Sequence, residues 1–372
     1  MTRQLNNNHF PICFMLPSWR DHPIGGYKIV YEYANRLAAL GHPVTVAYAY
    51  RECYLTYYWL RCLRHPIGYI QQYRDFCKAR RNWSAQVTWF DIDKMVKLEL
   101  AQWYSPRWAR TFSADTRFVA TAMWTSMCLD RFPVRHKGYL IQDRENWGKW
   151  TMADVERTYR FSRMSKIAIS RWLVDGVEAV GGEAHYVPNG LDFDTFGLDI
   201  PIENRNRFEV AVMWHYDDRK RTTDLLAALQ IVKSRYPMLH VTAFCAQEQK
   251  EALPAWIDFI HCPDKVKHRQ IYNKAAIFAS ASEQEGWGLT PCEAMQCGAA
   301  VALTDIGGHR SFAKDGETAL MSPPRNPQAL GDNICRLIED DALRTRIARA
   351  GHDNIQQFTW DRAVGGFLDA LT

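Results

Sequence analysis

The chain reads as an α/β protein made of two Rossmann-like, doubly wound parallel-sheet domains. Three observations predict this class. Apolar runs of strand length alternate with stretches of helical apolar spacing. Glycine-rich turns fall at Gly25-Gly26, at Gly286-Trp287-Gly288 and at Gly307-Gly308, after candidate strands. The length, 372 residues, exceeds one ordinary core and suits two domains.

The first strand is the run Phe10 to Pro17. A loop holding Gly25-Gly26 follows, where the backbone allows close approach of a phosphate or sugar, although a simple tight turn reads almost as well. From Tyr27 to Leu40, Val30, Tyr33, Ala34, Leu37 and Ala38 recur at helical spacing, and Val44 to Ala47 begins a second strand. Further strands are predicted at 117–121, 138–142 and 166–170. The 138–142 strand runs into Asp143 and Glu145, which makes both candidates for acceptor contact, because strand C-terminal ends line the ligand crevice of such sheets. Simple pairing of these carboxylates with nearby arginines is an equal reading.

Pro188-Asn189-Gly190 is turn chemistry, and the polar run 201–207 reads as linker, so the domain boundary is placed near residue 195. The second half starts with the strand Glu209 to Trp214, then the bases Arg219-Lys220-Arg221 and a helix from Thr222 to about Tyr236. Three bases at a helix start oppose its dipole, which favours an anionic ligand there over a merely exposed helix end. Strands at 239–244 and 258–262 follow.

The densest chemistry lies in 275–295. The apolar run Ala275 to Ser280 reads as a buried parallel strand. Glu285, Gly286, Trp287, Gly288, Leu289 and Thr290 form a turn into a helix that begins near Thr290, and Glu293 lies one helical turn in. Strand, glycine turn and helix N-terminus present free N–H groups to an anion, with two carboxylates within reach of hydroxyls beside it.

This stretch resembles the Glu-x7-Glu signature of retaining glycosyltransferases of the GT-B fold, family 4, on Glu285-Gly286-x-Gly288-Leu289, Glu293-Ala294-Met295 and Gly298. The resemblance implies two Rossmann-like domains facing a central cleft. The first, 1–195, is an acceptor domain on which a C-terminal helix at about 358–372 packs back. The second, 196–357, holds a nucleotide-diphosphate sugar. It further implies that Glu285 orients the donor sugar, that Glu293 and the Gly286 to Thr290 turn bind the donor, and that Lys220 stabilises the leaving diphosphate. Gly25 and Gly26 would also serve the donor. The family's Lys-Gly pair is Lys220-Arg221 here, and its separate Gly-Arg is absent, with Arg219 as a candidate replacement. The Gly25 to Leu37 segment, with Gln142-Asp143-x-Glu145, is similar to a subgroup containing rhamnosyltransferases of bacterial surface polysaccharides. Retention, a glycan or lipid-linked glycan acceptor, and no cofactor beyond the nucleotide-sugar substrate are what the family implies. No Asp-x-Asp-like metal cluster is expected.

The net charge is +5, and the segment 51–81 alone carries seven bases against two acids, interleaved with tyrosines and tryptophans. That mixture suits an anionic membrane surface, or less favourably nucleic acid, or merely a solvated helix with an aromatic packing face. No apolar run is long enough to cross a membrane, and residues 1–9 have no secretory pattern. Ten cysteines without a C-x-x-C pair imply reduced thiols in the cytoplasm, with Cys245 and Cys262 as small core residues. The expectation is a cytoplasmic transferase, peripheral on the inner membrane face. The alternatives are a glycosyltransferase acting on nucleic acid and a non-catalytic GT-B-like binding protein.

Overall fold

The structure is a computed structural model that describes residues 9–20, 22–50, 66–83, 87–146 and 150–372. The chain divides into two compact units. Unit 1 comprises Met1–Ile169, Leu173–Val187 and Val364–Thr372, and unit 2 comprises Ser170–Trp172 and Pro188–Ala363. The main change of unit therefore falls at residue 187, a few residues before the expected 195, and the chain end returns to unit 1.

In unit 1 the order is β1 (Ile12–Leu16), α1 (Gly25–Ala39), β2 (Val44–Ala49), α2 (Pro66–Asn82), β3 (Lys97–Ala101), α3 (Pro106–Ala109) and β4 (Arg117–Ala120). Then come α4 (Met123–Asp130), β5 (His136–Ile141), α5 (Met152–Tyr159), β6 (Ser165–Ala168), α6 (Arg171–Glu178) and β7 (His185–Tyr186). The strands form one parallel sheet in the order β3-β2-β1-β4-β5-β6-β7. All five β1 residues are buried, which is why the strand reads as a continuous apolar run without alternation. Gly25 and Gly26 open α1 and do not sit in the preceding loop.

Unit 2 runs β8 (Glu209–Met213), α7 (Thr222–Arg235), β9 (His240–Cys245), β10 (Ile257–His261), α8 (Lys265–Lys274), β11 (Ile277–Ser280) and α9 (Leu289–Gln296). It continues with β12 (Ala300–Thr304), β13 (Leu320–Ser322), α10 (Pro327–Glu339), α11 (Asp341–Ile355) and the start of α12 (Trp360–Leu371). Its sheet is parallel in the order β10-β9-β8-β11-β12-β13. Numbered from its own first strand this is 3-2-1-4-5-6, the same winding as the first six strands of unit 1. Val210, Val212, Leu229, Ala243, Ile277, Ala279 and Ala302 meet in its core.

The last part of α12 belongs to unit 1, where Phe367 packs on Phe14 and Tyr33, with ring centroids 5.6 and 4.6 Å apart. The run 201–207 is not a solvated linker. Ile202 is buried, and the buried Arg205 guanidinium donates to the carbonyls of Ile200, Tyr272, Ala275 and Cys297. Cys245 is buried as expected, but Cys262 is exposed, with φ +45° at the end of β10.

Candidate active site

In a sheet of order 3-2-1-4-5-6 the crevice opens beyond the C-terminal ends of strands 1 and 4, where the winding reverses. In unit 2 these are β8 and β11, so the segments 214–221 and 281–288 face each other. Their backbones are joined where Glu283 N–H donates to Arg219 O at 2.8 Å.

Glu285 and Lys220 meet across this junction, with Lys220 Nζ 2.6 Å from Glu285 Oε1. Ser282 Oγ donates to the same oxygen at 2.8 Å. Both side chains are mostly buried, Lys220 at 20% and Glu285 at 15% exposure. Burial opposes ionisation of Glu285, but Lys220, His309 and the hydrogen bonds from Lys220 and Ser282 outweigh it and hold the carboxyl below its ordinary value. His309 is fully buried. Its Nδ1 lies 2.8 Å from Thr304 O, and burial pushes its pKa down.

The glycines have separate reasons. Gly288, the N-cap of α9, has φ +118°, a region that side chains avoid. Gly308 has an ordinary helical φ of −61°, so its conformation would suit any residue. Space forbids one: a Cβ there would lie 2.4 Å from Glu285 O and 2.9 Å from Glu285 Cβ. The N-cap Gly288 supplies no side-chain cap to α9, so the first N–H groups take no bond from it, an arrangement suited to an anion. Trp172 Nε1 donates to Gly286 O at 3.1 Å and fastens the turn.

The other predicted residues are placed differently. The Trp287 ring is only 2% exposed and packs edge-on to Phe312 and Phe358, so it serves the core. Glu293 is buried, and Tyr272 OH donates to it at 3.2 Å. Arg219 forms a two-point pair with Asp217, Nε–Oδ1 3.0 Å and Nη2–Oδ2 2.6 Å, which holds Asp217 at about 2. Arg221 pairs with Asp224 at 2.8 Å and has left-handed backbone, φ +50° and ψ +44°. It thus occupies a glycine-type conformation at a strain of roughly 1–2 kcal/mol. Of the three bases, Lys220 is the one that pairs with Glu285. Sequence reasoning assigned no role to Ser282, Asp217, His215 or Trp172. Ser282 stands three residues before Glu285, a spacing that could have signalled its contact.

In unit 1 the matching reversal lies between β1 and β4. Tyr27 OH donates to Ser18 O at 2.6 Å and fixes the segment after β1. Gly26 lies against the Gln142 amide, to which a Cβ would come within 3.4 Å. Glu145 Oε2 accepts from Met123 N–H at 3.0 Å, at the start of α4, whose N-cap Ala122 has no side-chain acceptor. Burial, with Asp143 adding repulsion, outweighs that bond and pushes Glu145 up to about 8. Asp143 Oδ1 accepts from Arg144 N–H at 2.7 Å.

Residues 51–65 of the basic aromatic segment lie outside the described residues. In α2, Phe76 is buried against Tyr50, while Arg74, Lys78, Arg80 and Arg81 are exposed. Among the described residues, no helix is long and apolar enough to cross a membrane.

Residues 209–340 match the family described as "Glycosyl transferases group 1". Phosphatidyl-myo-inositol mannosyltransferase of Mycobacterium tuberculosis is 29% identical over 215 residues, which is 53% of this chain and 56% of that protein. D-inositol 3-phosphate glycosyltransferase of Xylanimonas cellulosilytica is 31% identical over 113 residues, 30% of this chain and 27% of that protein. The match thus spans about half the length of the mannosyltransferase. Sucrose-phosphate synthase of Thermosynechococcus elongatus has a similar structure at TM-score 0.75 and 14% identity, covering 97% of this chain and 98% of that one. Anabaena HepE, solved with UDP and glucose, is similar at TM-score 0.71 and 16% identity over 98% of this chain and 99% of that one. Residues 209–340 of unit 2 thus resemble group 1 glycosyl transferases, and both units have Rossmann-like folds of the GT-B kind.

Proposed function

We propose that the protein is a retaining, metal-independent glycosyltransferase that uses a nucleotide-diphosphate sugar. The observation that carries this reading is the Lys220–Glu285 pair, set before the uncapped N-terminus of α9 at the winding reversal of unit 2. In the reaction the bond from the anomeric carbon to phosphate oxygen breaks, and its electron pair leaves with the diphosphate. Lys220 and the α9 N–H groups stabilise that charge. Glu285 accepts from sugar hydroxyls, and Glu293 serves the ribose. The acceptor oxygen bonds to the same face of the sugar, and its proton passes to the departing phosphate.

The acceptor is a glycan or lipid-linked glycan, bound in unit 1 near Asp143 and Glu145, with Gly25 and Gly26 serving the donor. The relatives' names join a transferred sugar to a lipid-linked inositol in one case and to an inositol phosphate in the other, and the first of these supports a lipid-linked acceptor. A deoxyhexose such as rhamnose and a role in surface polysaccharide rest on the Gly25 to Leu37 and Gln142 to Glu145 segments. The protein works in the cytoplasm at an anionic membrane surface through the exposed bases of α2.

A thermal-shift screen with nucleotide sugars tests the donor site. A donor at about a hundred times its Kd stabilises the fold by roughly 2.7 kcal/mol. One donor should shift the wild type and not Glu285→Ala, and that variant should lose transfer while remaining folded. Full activity in Glu285→Ala would overturn the assignment. The surface reading predicts binding to phosphatidylglycerol vesicles, release by salt, and no binding to pure phosphatidylcholine. Equal binding to both would refute it.

A further inference from the structure

His215 follows β8 by two residues and stands at the same winding reversal as the Lys220–Glu285 pair. It is half-buried, with its ring held at one nitrogen and its main chain held separately. Asp217 N–H donates to Nδ1 at 2.9 Å, and Thr222 Oγ1 at the start of α7 donates to the His215 carbonyl. A backbone N–H only donates, so Nδ1 carries a lone pair and the neutral ring bears its proton on Nε2. Adding a proton to Nδ1 would set two donors against each other.

The charged neighbours come from both flanking segments: Lys220, Asp217 and Arg219 from the 214–221 side, and Glu285 from the 281–288 side. Burial first, then Lys220, keeps the imidazole below its ordinary pKa despite the two carboxylates. Arg219 and Arg221 are each tied to an aspartate on their own segment. A donor on His215 would give a diphosphate a further side-chain contact on this segment, beside Lys220.

We propose that His215 is a further catalytic residue, a neutral imidazole whose Nε2–H donates to the departing diphosphate beside Lys220. The inference rests on the glycosyltransferase reading. No proton is transferred by the ring. The electron pair of the broken anomeric C–O bond stays on the phosphate oxygen, and the Nε2–H dipole stabilises the charge that develops there. A neutral donor avoids placing a second full cation against Lys220, and its tautomer is set before the ligand arrives.

The test is calorimetric binding of UDP, GDP, dTDP, CDP and ADP to the full chain between pH 6 and 8. Wild type, His215→Ala and His215→Gln are compared, with folding checked by thermal midpoint. At least one diphosphate should bind the wild type. His215→Ala should weaken that binding about 10- to 100-fold, as loss of a hydrogen bond to a charged group does. His215→Gln, which restores an N–H near Nε2, should recover most of it. The wild-type to Gln affinity ratio should stay constant across the pH range, because the diphosphate's own titration cancels in it. A ratio rising about tenfold per pH unit on acidification would overturn the neutral donor and make the ring a cation. Unchanged binding in His215→Ala would overturn the contact while leaving the glycosyltransferase reading intact. No binding of any diphosphate to the wild type would overturn both.

Discussion

Glu285 of unit 2 and Glu145 of unit 1 occupy comparable places. Each follows a parallel strand close to the reversal, Glu285 the fourth in the winding of unit 2 (β11) and Glu145 the fifth in that of unit 1 (β5), and each lies near the start of a helix. Their proton affinities diverge. Glu285 is held below the ordinary carboxylate value, whereas Glu145 rises to about 8. Burial acts on both in the same direction. Lys220 makes the difference: it reaches Glu285 from the neighbouring segment, while the backbone N–H of Met123 alone does not offset burial at Glu145. One topology thus yields an ionised carboxylate suited to accepting from sugar hydroxyls, and a carboxyl that is mostly protonated at neutral pH.

The largest expected break in this contrast comes from Lys220→Met. It leaves Glu285 without its cation and should lower transfer by about 10²–10³-fold, as loss of one transition-state donor does. It should also cost about 2–3 kcal/mol of stability, between the values for exposed and fully buried pairs. Because the folded pKa of Glu285 lies below its ordinary 4.5, ionisation stabilises the fold above that value, and the benefit is lost as pH falls through the folded value. The deficit of Lys220→Met should therefore be full at neutral pH and close in acid. A urea-melt series against pH checks this, and a pH-independent deficit would contradict it.

Gly308→Ala comes next. It keeps every charge in place but drives a methyl group toward Glu285 O, now 2.4 Å from the Cβ position. A displacement of Glu285 by even part of an ångström should lower turnover about 10²-fold with the protein folded. Wild-type turnover would show that the Glu285 main chain yields freely.

The smallest effect sharpens the unit 1 side. A carboxyl whose folded pKa is raised to about 8 gives stability that is full below 4.5 and lost as pH rises through 8. Glu145→Gln, always neutral, should match the wild type near pH 4 and exceed it by about 2 kcal/mol, several degrees in Tm, at pH 9. Equal melting at pH 9 would show that Glu145 ionises without cost.

The strand, turn and helix from Ile277 to Gln296 were legible because the signal is local: a largely buried strand, two glycines and a helix start lie close together in sequence. The Lys220–Glu285 meeting is non-local, 65 positions apart, and only the family resemblance pointed to it. Sequence spacing did not show that Asp217, two residues before Arg219, pairs with its guanidinium. β3 escaped notice because it carries Lys97 and Glu99 at the sheet edge, and β7 because it has two residues. The run 201–207 looked like linker from its polarity, yet Ile202 among the charges was the visible sign that it turns inward.

That run also decides where the chain can be cut. The family-matched segment begins at residue 209, an inviting place to start a shorter protein for crystallisation or screening. Arg205 would then be lost, and the carbonyls of Tyr272, Ala275 and Cys297, which end α8 and α9, would lose their donor. Asn273, which accepts from Asp199 and Ile200 N–H and donates to Gly197 O, would lose these partners as well and keep only its bond to Arg269 O among those seen. A durable fragment of unit 2 has to start upstream of Gly197, so the polar stretch that resembles a spacer is the natural first turn of the excised domain.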